Sequence, residues 1–297
     1  MEKNLYIDAS HPDETRVVLK SENHIEEYEY ENKNTLNLKS NIYLGKVSRV
    51  EPSLQAAFVN YGRVRHGFLA FNDIQTDYYQ IPHDDKETLK KKEEELRKEL
   101  KEASKKIEEE PEKLDIENNP NSVGLNLNEN NTSEKNQNVS SNNSDELNVL
   151  KKRHGIKRYK IQEVIKPGQI ILVQILKNER GQKGAALSTF ISIAGKYTVL
   201  MPNTAKGGGI SRKIYNPEER KKIRNILQEI DIPETMGLIV RTAGSNKTRN
   251  EINKDLTNTI NIWEEIKKRA INSIAPTLIH EEGDIIKRTL RDLFDNN

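Results

Sequence analysis

Residues 41–50 read NIYLGKVSRV, and two further short stretches follow at once, QAAFVNY (55–61) and HGFLAF (66–71). In NIYLGKVSRV apolar and polar residues alternate, the period of two that a half-buried strand imposes because successive side chains point to opposite faces. The next two stretches are short and apolar, with Gly62 at a turn between them. Farther along, QIILVQIL (169–176) reads as a strongly apolar strand and GQKGAALST (181–189) as another. Several short strands punctuated by glycine predict a small barrel.

Between the third and fourth of these strands the composition changes twice. Residues 84–114 are nearly all Lys, Glu and Leu; Leu96, Leu100, Ala103 and Ile107 recur at helical spacing, and Glu94–Lys98 and Glu102–Lys106 stand four apart. An exposed helix with one narrow apolar stripe is expected there. Residues 118–148 are rich in Asn and Ser with few apolar side chains. Such a stretch cannot bury enough surface to offset its ordering entropy, so disorder is expected. Together these form an insertion, bounded at 79–155, in one loop of the barrel, where added length costs little because closure entropy grows slowly.

The last third mixes elements. Asn216-Pro217 opens a helix, with Asn as N-cap, Pro at the first position and Glu218 and Glu219 near the positive end of the dipole. Ile223, Ile226, Leu227 and Ile230 give it a buried face. GLIV (237–240) reads as a buried strand, and residues 248–272 as a second helix with Ile252, Leu256, Ile260, Trp263 and Ile266 inward. The layout is α+β.

Composition restricts the function. Of 297 residues, 34% are hydrophobic and 32% charged, so part of the chain is not packed core. The net charge is 48 − 46 = +2, too small to indicate a nucleic-acid binder by itself. With no cysteine, disulfides, thiolate metal sites and cysteine nucleophiles are excluded. The first ten residues, MEKNLYIDAS, lack the apolar run of a signal peptide, and no stretch has the length of a membrane span, so a cytoplasmic protein without a transmembrane segment is expected.

Four clusters could carry chemistry. Phe58, Tyr61, Phe68 and Phe71 lie on adjacent strands among Lys46, Arg49, Arg63, Arg65 and His66. Small barrels of the oligonucleotide-binding (OB) type bind single strands in this way, with bases stacked on aromatic faces and cations tracking phosphates. The competing reading makes the aromatics core. In KNERGQKGAA (177–186) two glycines bracket Lys183, either a basic contact or an ordinary turn. KGGGISRK (206–213) could cradle phosphate through backbone N–H groups, Arg212 and Lys213, or be a surface loop. At the end of GLIV, Arg241 offers a bidentate fork and Thr242 a hydroxyl, unless Arg241 pairs with a carboxylate. No HExxH, GxSxG or histidine cluster occurs, and no close acidic pair ends an apolar strand.

Taken together, NIYLGKVSRVEPSLQAAFVNYG (41–62), RHGFLAF (65–71), ERGQKGAALSTFISIAGKYTVLMPN (179–203), GGGISRK (207–213) and GLIVRTAG (237–244) resemble the ribonuclease E/G family. The resemblance implies an S1-type OB barrel at 39–190 carrying the 79–155 insertion, and an α/β 5′-sensor domain at 191–286. It also implies an incomplete RNase H-like piece at the termini, its first part at 1–38 and the start of its second at 287–297. It carries RNA contacts over to Phe58, Tyr61, Phe68 and Lys183. It carries a 5′-monophosphate pocket over to Gly195, Val199, Arg241 and Thr242, with Arg212 and Lys213 beside it. Gly195 would leave room for the terminal nucleotide, and Lys213 stands where the family pattern has Arg, which keeps the charge but loses the planar fork.

The family cuts RNA in RNA processing and decay, through a DNase I-like domain in which two aspartates hold Mg²⁺. No segment of this chain matches that domain, so no catalytic residue, metal ligand or cofactor is expected here, and the chain alone is expected to be inactive. The expected partner is single-stranded RNA with a 5′-monophosphate; a separate catalytic half or other subunits are open. Two readings remain at this point. One is the RNA-binding half of an endoribonuclease, favoured by the helical pattern still running at RDLFDNN (291–297). The other is a free-standing, non-catalytic RNA-binding module.

Overall fold

A computed structural model of the chain describes residues 3–22, 24–32, 37–88, 91, 159–204, 209–230, 232–233 and 235–294. Most of the expected Lys/Glu helix, the Asn/Ser stretch and the glycines at 207 and 208 lie outside those residues. The chain divides into two compact units, residues 1–81 with 159–297, and residues 82–158. In the second, residues 83–88 are helical and His83 faces Glu87 at 3.5 Å.

The N-terminal strands β1 (Lys3–Asp8), β2 (Glu14–Ser21) and β3 (His24–Asn32) form an antiparallel sheet in sequence order. The chain then enters β4 (Ile42–Glu51), β5 (Ala56–Asn60) and β6 (Gly67–Ala70), an antiparallel meander. After one helical turn, α1 (Ile161–Val164), come β7 (Ile170–Lys177) and β8 (Ala186–Ser188). Strand β8 runs parallel to β6 and antiparallel to β7, and β7 pairs with β4, which closes a five-stranded barrel consistent with an OB-like fold.

Alternation explains what fills it. Val47, Ala57, Val59, Leu69, Ile171, Val173, Ile175 and Leu187 point inward and form one buried cluster, joined by Ile161 and Val164 of α1. Each such aliphatic side chain, once buried, contributes roughly 1.5–3 kcal/mol. Of the expected strand at 181–189 only β8 is strand. Gly181 takes a left-handed φ of +57°, and residues 180–183 form a turn closed by reciprocal Arg180–Lys183 backbone bonds of 3.0 and 3.2 Å.

The second sheet contains β9 (Ile193–Ala194), β10 (Thr198–Met201), β11 (Gly209–Ile210) and β12 (Gly237–Val240), in the order β11-β12-β10-β9. Two helices accompany it, α2 (Pro217–Glu229) and α3 (Arg249–Ile271). Both start as their caps dictate. Asn216 Oδ1 accepts from Glu218 N at 3.0 Å, and Thr248 and Glu251 form a reciprocal capping box. Ile252, Leu256, Trp263 and Ile266 of α3 pack on Ile193, Leu200 and Leu238 of the sheet. Ile260 is only partly buried, and Thr259 takes a buried place.

The two sheets are not cleanly divided. Strand β13 (Thr277–His280), inside the stretch expected to be the second domain, pairs antiparallel with β4, and Ile42 of β4 and Ile279 of β13 belong to the second sheet's core. A last helix, α4 (Ile285–Asp292), lies against the N-terminal sheet: Ile285 N donates to Glu31 at 2.8 Å and Arg288 meets Glu31 at 3.5 Å. No helix among the described residues is long and apolar enough to cross a membrane.

Candidate nucleic-acid interface

On the outer face of the barrel Phe58 and Phe68 stand directly opposite each other in the β5–β6 register, their rings edge to face at 6.0 Å. Arg49 joins them because β4 carries a bulge. Val47 pairs with Val59 and Arg49 with Phe58, so two steps on β4 match one on β5. Without the bulge Arg49 would share the inward face of Val47; with it, the guanidinium lies 4.5 Å from the Phe58 ring centroid. Arg49, Phe58, Val64, Arg65, His66, Gln182 and Gly184 line an open pocket of about 310 Å³, with no carboxylate among them.

The turn that carries Lys183 borders this face through Gln182 and Gly184. Arg65 Nη1 donates to Gly181 O, and Tyr61 Oη donates to Glu179 at 2.5 Å, so the turn is tied to the barrel at two points. Phe68 N donates to Ala185 O at 2.8 Å, which fixes the exposed Lys183 two residues from that pairing.

Tyr61 requires a correction. It is 1% exposed, its ring packs edge-on against Tyr43, and burial with the Glu179 bond pushes its hydroxyl above its ordinary range. No ring face is left for a base, so Tyr61 is core and holds the Lys183 turn in place. Its position told as much: Tyr61 shares parity with Ala57 and Val59, opposite to Phe58.

The second cluster is built on the turn between β9 and β10. The Asp255 carboxylate of α3 accepts from the backbone N–H of Lys196 (2.9 Å), Tyr197 (3.0 Å) and Thr198 (3.0 Å) and from the Thr198 hydroxyl (2.8 Å). The Asp255 carboxylate requires a glycine at 195: a Cβ there would stand 2.5 Å from Asp255 Oδ2.

Arg241 leaves the end of β12 and folds back over the turn. Its N donates to Tyr197 O at 2.8 Å and its Nη1 to Gly195 O at 2.9 Å. The same Nη1 is paired with Asp292 of α4. Thr242, exposed, begins a short 3-10 turn beside it. Val199 lies in β10 opposite Ala194 and Ile239. Arg212 and Lys213 are exposed just past β11, whose Ile210 pairs in parallel with Val240, so they leave from the same sheet end as Arg241. The Lys196 and Lys247 ammoniums lie 5.3 and 5.4 Å from the Tyr197 ring centroid, adding positive charge to this turn.

Arg291 forks onto both oxygens of Asp292 (Nε to Oδ1 3.1 Å, Nη2 to Oδ2 3.2 Å) and also bonds Glu282. Burial by itself would raise the Asp292 carboxyl; the hydrogen bonds from Arg291 and Arg241 outweigh it and hold it below the usual carboxylate range. Asp255 and Asp292 escaped the reading of the sequence, which named Arg49 but not the bulge that turns it outward. Among the described residues no group of three or more His, Asp or Glu is placed to hold a metal ion.

A model of the ribonuclease E/G family matches residues 192–297. Ribonuclease E of Escherichia coli is 35% identical over 290 residues, which is 98% of this chain and 21% of that protein. Ribonuclease E of Haemophilus influenzae is 34% identical over 290 residues, 23% of its length. A putative ribonuclease E of Buchnera aphidicola (subsp. Baizongia pistaciae) is 33% identical over 290 residues, 53% of its length. The chain therefore spans between about a fifth and about half of these relatives. The paired aromatics, the basic turn and the Arg241 strand end thus lie in a stretch aligned with these ribonucleases nearly from end to end, and the chain belongs to the ribonuclease E/G family.

Proposed function

We propose that this chain is the RNA-binding and 5′-monophosphate-sensing part of an endoribonuclease that acts in RNA processing and decay. The observation that carries the reading is the outward row of Arg49, Phe58 and Phe68 beside the Lys183 turn, on a barrel of OB-like form. In this reading the barrel is S1-type, and the N-terminal sheet with α4 begins an RNase H-like part. Hydrolysis is assigned to no residue of this chain.

Phe58→Ala and Phe68→Ala are each expected to weaken single-stranded RNA binding by roughly 1–3 kcal/mol with little change in salt dependence. Lys183→Ala is expected to lower the salt slope by about 0.7, one phosphate contact on a single strand. Titrations of one oligonucleotide at several salt concentrations check both, and parental behaviour in all three variants would remove the barrel from the RNA surface.

At the second site Arg241 would take the terminal phosphate, with Thr242 donating its hydroxyl and Arg212 and Lys213 supplying nearby charge. A 5′-monophosphate form is expected to bind about ten- to a hundredfold more tightly than the 5′-hydroxyl form, the worth of one charged contact of roughly 1.5–3 kcal/mol. Arg241→Lys loses most of that preference because lysine has no planar fork. Equal affinity of the parent for 5′-hydroxyl, 5′-monophosphate and 5′-triphosphate forms would refute the sensing role and leave the barrel's role intact.

A further inference from the structure

We infer that Asp292 gates the Arg241 site: its carboxylate holds Nη1 of the guanidinium that a terminal phosphate would take, so phosphate binding at that atom and release of Asp292 are one exchange. The inference rests on the 5′-phosphate reading above and specifies its regulation. Asp292 is no sequence neighbour of Arg241. It comes from α4, 51 residues on, and meets Nη1 directly. Arg241 does not need Asp292 to stay in place, because its Nη1 also donates to Gly195 O at 2.9 Å and its backbone N to Tyr197 O at 2.8 Å.

Nor does Asp292 lose all its partners when Arg241 is drawn off. Arg291 grips both of its oxygens, at 3.1 and 3.2 Å, so the released carboxylate keeps a cation and is not left as a half-buried bare charge. The exchange is therefore decided by which anion suits Arg241 better. A terminal phosphate monoester carries about −1.5 to −2 charges and three acceptor oxygens, and it outcompetes a carboxylate. An internal phosphodiester carries a single charge, as Asp292 does, and gains little by displacing it. A 5′-hydroxyl offers no anion at all. The gate thus sharpens discrimination for a chain end against the phosphates along the strand. It also ties occupancy to α4, which is held to the end of β9 by Arg291 Nη1 on Ala194 O (3.4 Å) and to β3 by Glu31.

The test uses the full chain and Asp292→Asn, which keeps the shape and removes the charge. The variant is expected to bind 5′-phosphorylated single-stranded RNA about five- to tenfold more tightly than the parent, with the 5′-hydroxyl form unchanged; Asp292→Glu returns towards the parent. If the parent discriminates between the two ends and Asp292→Asn binds the phosphorylated form no better, Asp292 merely positions Arg241 and the gate is overturned while the sensing role stands. If the parent does not discriminate, both fall. Should the variant fail to fold, hydrogen exchange of residues 285–294 in the parent decides. Faster exchange with saturating 5′-phosphorylated RNA, and not with the 5′-hydroxyl form, supports the gate; identical exchange with both overturns it.

Discussion

Replacing Asp255 with alanine is expected to cost the fold about 3–5 kcal/mol, the penalty for leaving several partly buried donors without their shared charged acceptor, and to abolish any 5′-end preference in the same step. One carboxylate accepts four hydrogen bonds, three from consecutive backbone N–H groups at 196–198 and one from the Thr198 hydroxyl. Bonds to a charged acceptor contribute roughly 1.5–3 kcal/mol each, but they share one partner and water enters as they break, so the total is far below their sum. In a domain of this size the melting temperature falls by about 10 °C. The 5′ preference falls too, because the turn that Asp255 shapes supplies both Gly195 O and Tyr197 O, the two acceptors that aim Arg241. Asp255→Asn is the milder variant. Oδ2 receives three of the four bonds, and an amide that keeps oxygen there loses chiefly the bond from Lys196 N. Thermal unfolding of both variants, followed by RNA titration below the transition, checks this; parental stability in Asp255→Ala would show that the turn folds without its carboxylate.

What the sequence allowed and withheld follows from distance along the chain. The barrel strands at 42–51, 56–60, 67–70 and 170–177 were legible because each announces itself by alternation within its own residues. The helix starts at Asn216 and Thr248 were legible for the same reason, since a cap and its partner lie within three residues. Strand β13 was not, because TLIH is four residues long and its pairing with β4 depends on a partner more than 230 residues away in the chain. The bulge that turns Arg49 outward appears only when β4 is laid on β5. Asp255 and Asp292 are ordinary acidic residues on helices until the fold carries them to the 195–198 turn and to Arg241. Phe58 and Phe68 could be proposed from composition, but only the register makes them cross-strand partners, and the same register sends Tyr61 inside.

Gly184→Ala is expected to destabilise the chain by about 3 kcal/mol, the upper end of the usual range for overpacking, and to take RNA binding on the barrel with it. A Cβ on Gly184 would stand 2.0 Å from His66 O and 3.0 Å from His66 C. Both are backbone atoms, so no side-chain rotation relieves the clash; the 184–186 segment itself must retreat by more than about 1 Å from its neighbour. That segment carries the parallel β6–β8 pairing that closes the barrel, including the 2.8 Å bond from Phe68 N to Ala185 O, and a bond lengthened so far is lost. The pocket beside Phe58 is lined by Gly184, Gln182 and His66, so it is deformed by the same movement. Gly181, three residues earlier, supplies the comparison. It has a left-handed φ of +57° but open space around a would-be Cβ. Gly181→Ala therefore meets only the backbone penalty of roughly 1–2 kcal/mol and keeps RNA affinity. Denaturant unfolding ranks the two variants, and RNA titration at a temperature where both are folded separates loss of the site from loss of the fold. If Gly184→Ala unfolds at the parental midpoint, the parallel pairing of β6 and β8 is not what closes this barrel.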